Sequence, residues 1–244
     1  MRDVLRFPVA ECMPDAATVL RSQSLPEPGH FSNKVRRVLD QALSLYADIT
    51  DPRAVLEELT PEDFQRVHAG AGPTPDGSAV ARVYPRAEGL ALFAATLGER
   101  VSLEIRDLFA VGEVVLGYML DTVASVAADR LADLASVRFR DILGPRGSEE
   151  ARVLPYSPGY CGWPTRGQGP LFARLRPDEI GIALTDSFLM WPLKSVSGVL
   201  LAAPLAAHAF ETDSPFCDAC ATHECRARLA AAGERPRGGW PWSS

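Results

Sequence analysis

Tyr156-Ser157-Pro158-Gly159-Tyr160-Cys161-Gly162-Trp163-Pro164 and Leu184-Thr185-Asp186-Ser187-Phe188-Leu189-Met190-Trp191-Pro192, the latter running on into Ser195-Val196-Ser197-Gly198, are the stretches that decide how this chain folds. Pro158 stiffens the entry to a turn, because its ring fixes φ and removes a donor. Gly159 permits dihedrals closed to other residues and lets another group approach closely. Tyr160 brings a flat apolar ring with a hydroxyl at its tip. Taken alone, these residues also fit a tight turn carrying a core tyrosine. The second stretch feeds a strand-like run at residues 196–202.

Outward from these stretches the chain reads as helices plus separated strands. Residues 3–9 have the look of a short strand. A helix starts at Asp15, which is placed to cap it. Residues 34–49 carry Val35, Val38, Leu39, Ala42, Leu45, Tyr46 and Ile49 on one face at helical spacing, with Ser32 or Asn33 as cap. Thr60-Pro61-Glu62-Asp63 is a second helix start, with a hydroxyl cap, proline in the first turn and acids at the positive end of the dipole. Residues 69–79 are loop-like in composition, and residues 89–97 read as a buried strand. A long helical region spans about 101–142, broken near Phe109. Along it Glu113, Gly117, Asp121, Ser125, Asp129 and Asp133 recur every four residues, which reads as a solvated face. Beyond Pro145 strand-like runs occupy 152–154, 180–184 and 196–202. The pattern predicts an α+β fold: an antiparallel or mixed sheet with flanking helices. It divides into a domain over 1–210 and a Cys-rich C-terminal segment and tail over 211–244.

The chain has 244 residues, 47% hydrophobic and 23% charged, which suits one globular unit with a real core. A net charge of −6 argues against a nucleic-acid partner and against adsorption to an anionic membrane. The N-terminus lacks the apolar run of a signal peptide. The most apolar stretch, 108–134, is interrupted by Glu113, Asp121, Asp129, Arg130 and Asp133, which does not suit a lipid-spanning helix. The expected location is the cytoplasm. His30, His68, Glu57-Glu58 and Glu149-Glu150 have no partner in sequence, and the acidic pairs read as solvated.

The two opening stretches, in their order and separation, resemble the activation-domain family of vitamin B12-dependent methionine synthase. In that family a Pro-Gly-Tyr turn precedes a Leu-Thr-Glu-Ser-like strand and a Ser-Val-Ser-Gly ending. Ala128-Asp129-Arg130-Leu131-Ala132-Asp133 resembles the family's long helix, and the likeness spans about residues 15–205. It implies a shallow cleft for S-adenosylmethionine, lined by Asp133, Ser157, Gly159 and Tyr160. Tyr160 would wall an adenosyl group, and Asp133 would pair with the α-ammonium. It also implies docking over a corrinoid, where the methyl donor remethylates cobalt after an electron arrives; the corrinoid performs the hard chemistry. Two positions depart from the family. Pro155 replaces an arginine that holds the ligand carboxylate, with Arg152 as a nearby substitute, and His208 replaces a tyrosine.

Five cysteines are present, and Cys217, Cys220 and Cys225 form a Cys-x2-Cys-x4-Cys cluster. In a reducing compartment that spacing reads as metal-binding or redox-active before it reads as disulfides. Cys161 is the candidate fourth ligand, with His223 as the local alternative. Zinc and an iron–sulfur cluster both fit four thiolates. Three functions follow as expectations. The first is an accessory or activation module for a corrinoid-dependent methyltransferase, presenting S-adenosylmethionine or an electron to a corrinoid held by a separate partner. The second is an iron–sulfur redox protein for corrinoid activation. The third is a zinc-stabilised binding module without chemistry of its own.

Overall fold

The computed structural model describes residues 1–23, 32–72, 78–160 and 162–208. Its centre is a five-stranded antiparallel sheet made of β1 (Arg2–Arg6), β2 (Arg53–Leu59), β3 (Gly89–Thr96), β4 (Ala151–Tyr156) and β7 (Ser195–Pro204), in the order β1-β2-β3-β7-β4. A two-stranded ribbon, β5 (Ala183–Leu184) with β6 (Met190–Trp191), precedes β7. The fold is α+β, as the sequence implies, and every strand pair is antiparallel.

Side chains alternate across a strand, and the two faces of this sheet carry different cores. Leu56, Ala91, Phe93, Leu200 and Ala202 pack on Ala132, Ala135, Phe139 and Leu143 of the long helix α7 (Val114–Leu143). Val55, Leu90, Leu92, Val199 and Leu201 face the other way, onto Phe64 and Val67 of α4 (Pro61–Ala69), Leu171 and Leu175 of α8 (Gln168–Leu175), and Trp163. A third core joins the first half of α7 to α1 (Val9–Cys12), α2 (Ala16–Ser22), α3 (Asn33–Ile49) and α6 (Glu99–Ala110). Cys12 lies inside this core, where burial pushes its thiol up to about 12. Two short helices, α5 (Ala79–Val83) and α9 (Leu205–His208), complete the described chain.

The local chemistry of the caps is realised. Asp15 accepts from the amides of Ala17 and Thr18, Ser32 from Val35, and Thr60 from Asp63, each worth about 1 kcal/mol. The long helical region divides at residues 111–113, between α6 and α7. Two expectations need correction. Residues 180–184 are not a strand: a 3-10 turn, Pro177–Ile180, ends at Gly181 with φ +82°, leaving only the two-residue β5. Glu57 and Glu58 are not merely solvated. They lie in β2, where Arg174 bonds Glu57 at 2.8 Å and Arg146 bonds Glu58 at 2.6 Å.

α7 runs alongside β7 in the same direction. Lys194, just before β7, reaches Asp121 and Ser125 at 2.8 Å each. At the other end Leu143 covers Gly89, which pairs with Ala202. The stripe read as solvated is thus partly engaged: Asp121 and Ser125 hold Lys194, and Gly117 lies against Leu108 and Phe109.

Candidate functional site

The strand β4, the turn after it and β7 form one unit at the sheet's edge. Gly198 explains the Ser-Val-Ser-Gly ending. A Cβ built there would stand 2.1 Å from the carbonyl oxygen of Tyr156 and 3.1 Å from Cα of Ser157. Gly198 shares a face with Leu200, the α7 face, so the chain leaving β4 crosses Gly198 on that side. It then turns tightly. The amide of Gly159 (φ +95°) donates to the carbonyl of Trp163 at 2.6 Å, and the amide of Trp163 donates to that of Tyr160 at 2.9 Å. The turn separates two aromatic residues: Tyr160 is 50% exposed, whereas Trp163 is 1% exposed against Phe64 and His68. Of the two alternatives for this turn, the outward tyrosine is the one realised.

Asp133 stands half-buried on α7. It lies two helical turns before Arg140, whose guanidinium donates to the carbonyls of Ala151 (3.1 Å) and Ser148 at the start of β4. Positions seven apart share a helix stripe, so Asp133 faces the β4 side of α7. Counted from Ser125, which Lys194 holds, Asp133 is about 12 Å along the helix, or some three to four strand residues. That brings it level with Gly198, where Ser157 crosses. Ser157, Gly159 and Tyr160 follow one another in the turn that crosses Gly198, and Asp133 lies across from it on α7. Two open concavities lie elsewhere. One, about 440 Å³, is bordered by Arg2, Glu57, Arg174, Arg176, Asp178 and Glu179, and the other, about 290 Å³, by Glu149, Arg152 and Pro204–Ala206.

The departing positions fall on opposite faces of β4. Pro155 pairs with Leu200 and faces α7. Arg152, three residues earlier, pairs with Ala203 on the other face, and its guanidinium bonds the carbonyls of Glu149, Glu150 and Ala151. An odd offset along a strand reverses the side chain, so Arg152 cannot take the place of Pro155. His208 is fully buried beneath that same face. Its Nε2–H donates to the carbonyl of Arg152 at 3.0 Å, because a carbonyl only accepts, and its Nδ1 then accepts from the Tyr156 hydroxyl at 2.8 Å. His208 is a structural residue here, a role that long-range packing alone reveals.

Burial lowers His208 below its ordinary value, more than its bonds to the carbonyls of Arg152 and Ala203 raise it; burial also lowers His68. Both are neutral in the fold and take a proton on unfolding near the ordinary value of 6.5. Their contribution is present above pH 6.5 and is lost as pH falls below it, by up to about 1.4 kcal/mol per pH unit for each. Asp15, Asp51 and Glu88 are held below the carboxylate range, so their contributions are lost only at lower pH. The melting temperature is expected to fall between pH 7 and pH 5, with His208→Gln removing about half of the slope. An unchanged slope in that variant would show that His208 is not buried neutral.

Cys161, Cys217, Cys220 and Cys225, together with His30 and the boundary at 210/211, lie outside the described residues. Among the described residues no group of three or more His, Cys, Asp or Glu side chains is gathered for a metal, and no helix is long and apolar enough to cross a membrane.

Residues 148–223 match the family model for the activation domain of vitamin B12-dependent methionine synthase. The resemblance holds. The matched segment takes in β4, the turn, the β5–β6 ribbon and β7, the unit just described. A solved structure, the MetH reactivation domain bound to AdoHcy, superposes with a TM-score of 0.62 at 18% identity, covering 98% of this chain and 91% of that one. The likeness in fold thus reaches well beyond the matched segment. No curated protein sequence matches it.

Proposed function

We propose that this activation-domain-like protein is an accessory module for a corrinoid-dependent methyltransferase, and that its β4–α7 corner holds S-adenosylmethionine for a corrinoid carried by a separate protein. The observation that carries this reading is the turn inside the matched segment: Gly159 and Tyr160 face outward, while Trp163 anchors the turn from below. The solved relative of the same fold holds AdoHcy, which shares the adenosyl and amino-acid parts of S-adenosylmethionine. In this reading Tyr160 walls the adenosyl group, Gly159 lets it approach the backbone, Ser157 offers a hydroxyl, and Asp133 supplies the carboxylate opposite the α-ammonium. The bound donor would supply a methyl group to the partner's cobalt. Exposed Phe188, Leu189 and Leu193, on and just after the ribbon, give the same end of the molecule an apolar face for that partner.

Equilibrium dialysis of the full chain against S-adenosylmethionine tests this. Tyr160→Ala is expected to weaken binding about tenfold, the worth of one aromatic stacking contact, with an unchanged melting temperature because the ring is half-exposed. Undetectable binding to folded wild-type protein at millimolar ligand would end the proposal.

The cysteine spacing supports a second element of the proposal. Cys217, Cys220 and Cys225, with Cys161 from the turn, would hold zinc or an iron–sulfur cluster. The iron–sulfur alternative would deliver the activating electron, and the zinc alternative would pin the C-terminal segment. Elemental analysis and a visible spectrum of anaerobically purified protein separate them: brown protein bleached by dithionite in the first case, colourless protein with one zinc in the second, and metal-free protein if neither is right.

A further inference from the structure

We infer that the outer edge of β1 is a docking strand, which takes an extended segment of a partner protein, of pattern acidic-x-apolar-x-acidic, as a further strand of the sheet. This edge is the one opposite β4 and does not depend on the proposed adenosyl site.

β1 has one neighbour in the sheet, β2. Which of its backbone groups are free follows from the register. The amide of Phe7 donates to the carbonyl of Pro52, and the carbonyl of Met1 accepts from the amide of Glu58. Between those bonds Arg2 to Arg6 pair with Glu57 to Arg53 in unbroken register. Bonded and non-bonded pairs alternate along an antiparallel ladder. Met1, Asp3, Leu5 and Phe7 therefore turn their backbone groups to β2, and Arg2, Val4 and Arg6 turn theirs outward. Among the described residues no backbone partner meets these outward amides and carbonyls. An added strand satisfies them, which is how exposed sheet edges bind extended peptides.

The side chains set what is accepted. Arg2, Val4 and Arg6 are all exposed, Val4 by 45%. Alternation along the strand puts them on one face, opposite Leu5, which packs toward α7. Each meets the residue directly across on an added strand. The two arginines favour carboxylates, and Val4 favours an apolar residue between them. Arg2 uses a single nitrogen, Nη2, for both Glu179 (2.6 Å) and the carbonyl of Leu175 (3.1 Å), so the rest of its fork is available. The 440 Å³ concavity that Arg2 borders gives an acidic side chain room beside it. Arg6 forms no salt bridge among the described residues; its charge acts on Asp51, which Arg53 already bonds.

A second copy of this chain is a poor occupant. Pairing two such edges with Val4 on Val4 sets each Arg2 opposite Arg6 of the second copy, and like charges directly opposite destabilise a pair. Shifting the register by two residues sets arginine against valine and loses a pair. The charges that bar self-pairing are the ones that select an acidic strand.

Fluorescence anisotropy with the full chain tests this, using labelled acetyl-Thr-Glu-Thr-Val-Thr-Glu-Thr-amide at low ionic strength. Wild type is expected to bind this peptide with a Kd below about 1 mM, about tenfold or more tighter than a version with lysine in place of both glutamates. Added salt should weaken the binding. Val4→Pro deletes an outward amide but no bond to β2. It is expected to weaken binding about tenfold or more, with the melting temperature held. N-methylation of the peptide's valine removes the matching donor and is expected to do the same to wild type. No binding at about 1 mM, equal affinity for the lysine peptide, or indifference to N-methylation would each overturn the proposal. So would a folded Val4→Pro protein that binds as wild type does. Sedimentation of wild type as a dimer that Val4→Pro dissolves would assign the edge to a second copy and overturn it as well. Should Val4→Pro fail to fold, the methylated peptide decides alone.

Discussion

Gly198→Ala is expected to destabilise the protein by about 3 kcal/mol or more, within the range for overpacking against atoms that cannot yield. The three atoms nearest the added methyl are all backbone: the carbonyl oxygen and carbon of Tyr156 and Cα of Ser157, at 2.1, 2.9 and 3.1 Å. No rotamer change relieves such a contact. Either β4 peels from β7, losing ladder bonds near the Tyr156–Val199 pair, or the turn shifts outward. At roughly 2–4 °C per kcal/mol for a domain of this size, the melting temperature should drop by about 6–12 °C. The S-adenosylmethionine binding proposed for the corner should fall further than unfolding accounts for, because Ser157 and Gly159 move with the chain. A urea midpoint equivalent to a loss under 1 kcal/mol would show that the crossing over Gly198 has slack.

Trp163 is expected to give the other large effect, and its two truncations should differ. Trp163 is the pillar beneath the exposed turn, with ring centroids 5.7 Å from both Phe64, edge-on at 85°, and His68, tilted at 40°. Gly167 makes room for it: a Cβ there would lie 2.3 Å from the indole nitrogen. Trp163→Ala empties the site and should cost about 3–5 kcal/mol, a third or more of a typical domain's stability. Trp163→Phe should cost much less. The indole Nε1 is buried without a hydrogen-bond partner among the described residues, and an unmet donor already costs about 1–3 kcal/mol. Removing it offsets part of the lost contact area. Chemical denaturation of both variants checks this; equal losses would mean that the indole nitrogen finds a partner in solution.

Much of the architecture is legible locally because its determinants are local. The caps at Asp15, Ser32 and Thr60, the amphipathic α3, the long α7 and the strands β3, β4 and β7 each follow from periodicity or from a cap within a few residues. β2 escapes because Glu57 and Glu58 break its apolar pattern. Their partners, Arg174 and Arg146, come from 117 and 88 residues away, as the hydrogen bonds record. Residues 180–184 mislead in the opposite direction, since an apolar run outweighs the proline and glycine that bend it. At the site, the turn and its outward Tyr160 are readable from Pro158 and Gly159. The corner is not. Its floor depends on Gly198 meeting Tyr156 across a strand pair, and its wall on α7 running level with β7. His208 shows the same limit: as a departure from a family pattern it reads as an altered ligand contact, whereas its partners Tyr156 and Arg152 make it part of the protein's interior.

The position of Cys12 bears on how the remaining thiols can be followed. Sealed in the helical core with its thiolate suppressed, it is silent towards alkylating reagents while the protein stays folded. Any label taken up rapidly by native protein therefore belongs to Cys161, Cys217, Cys220 or Cys225, and delayed uptake by a fifth thiol marks global opening. One chain thus carries both accessible reporter thiols and an internal clock for its own unfolding.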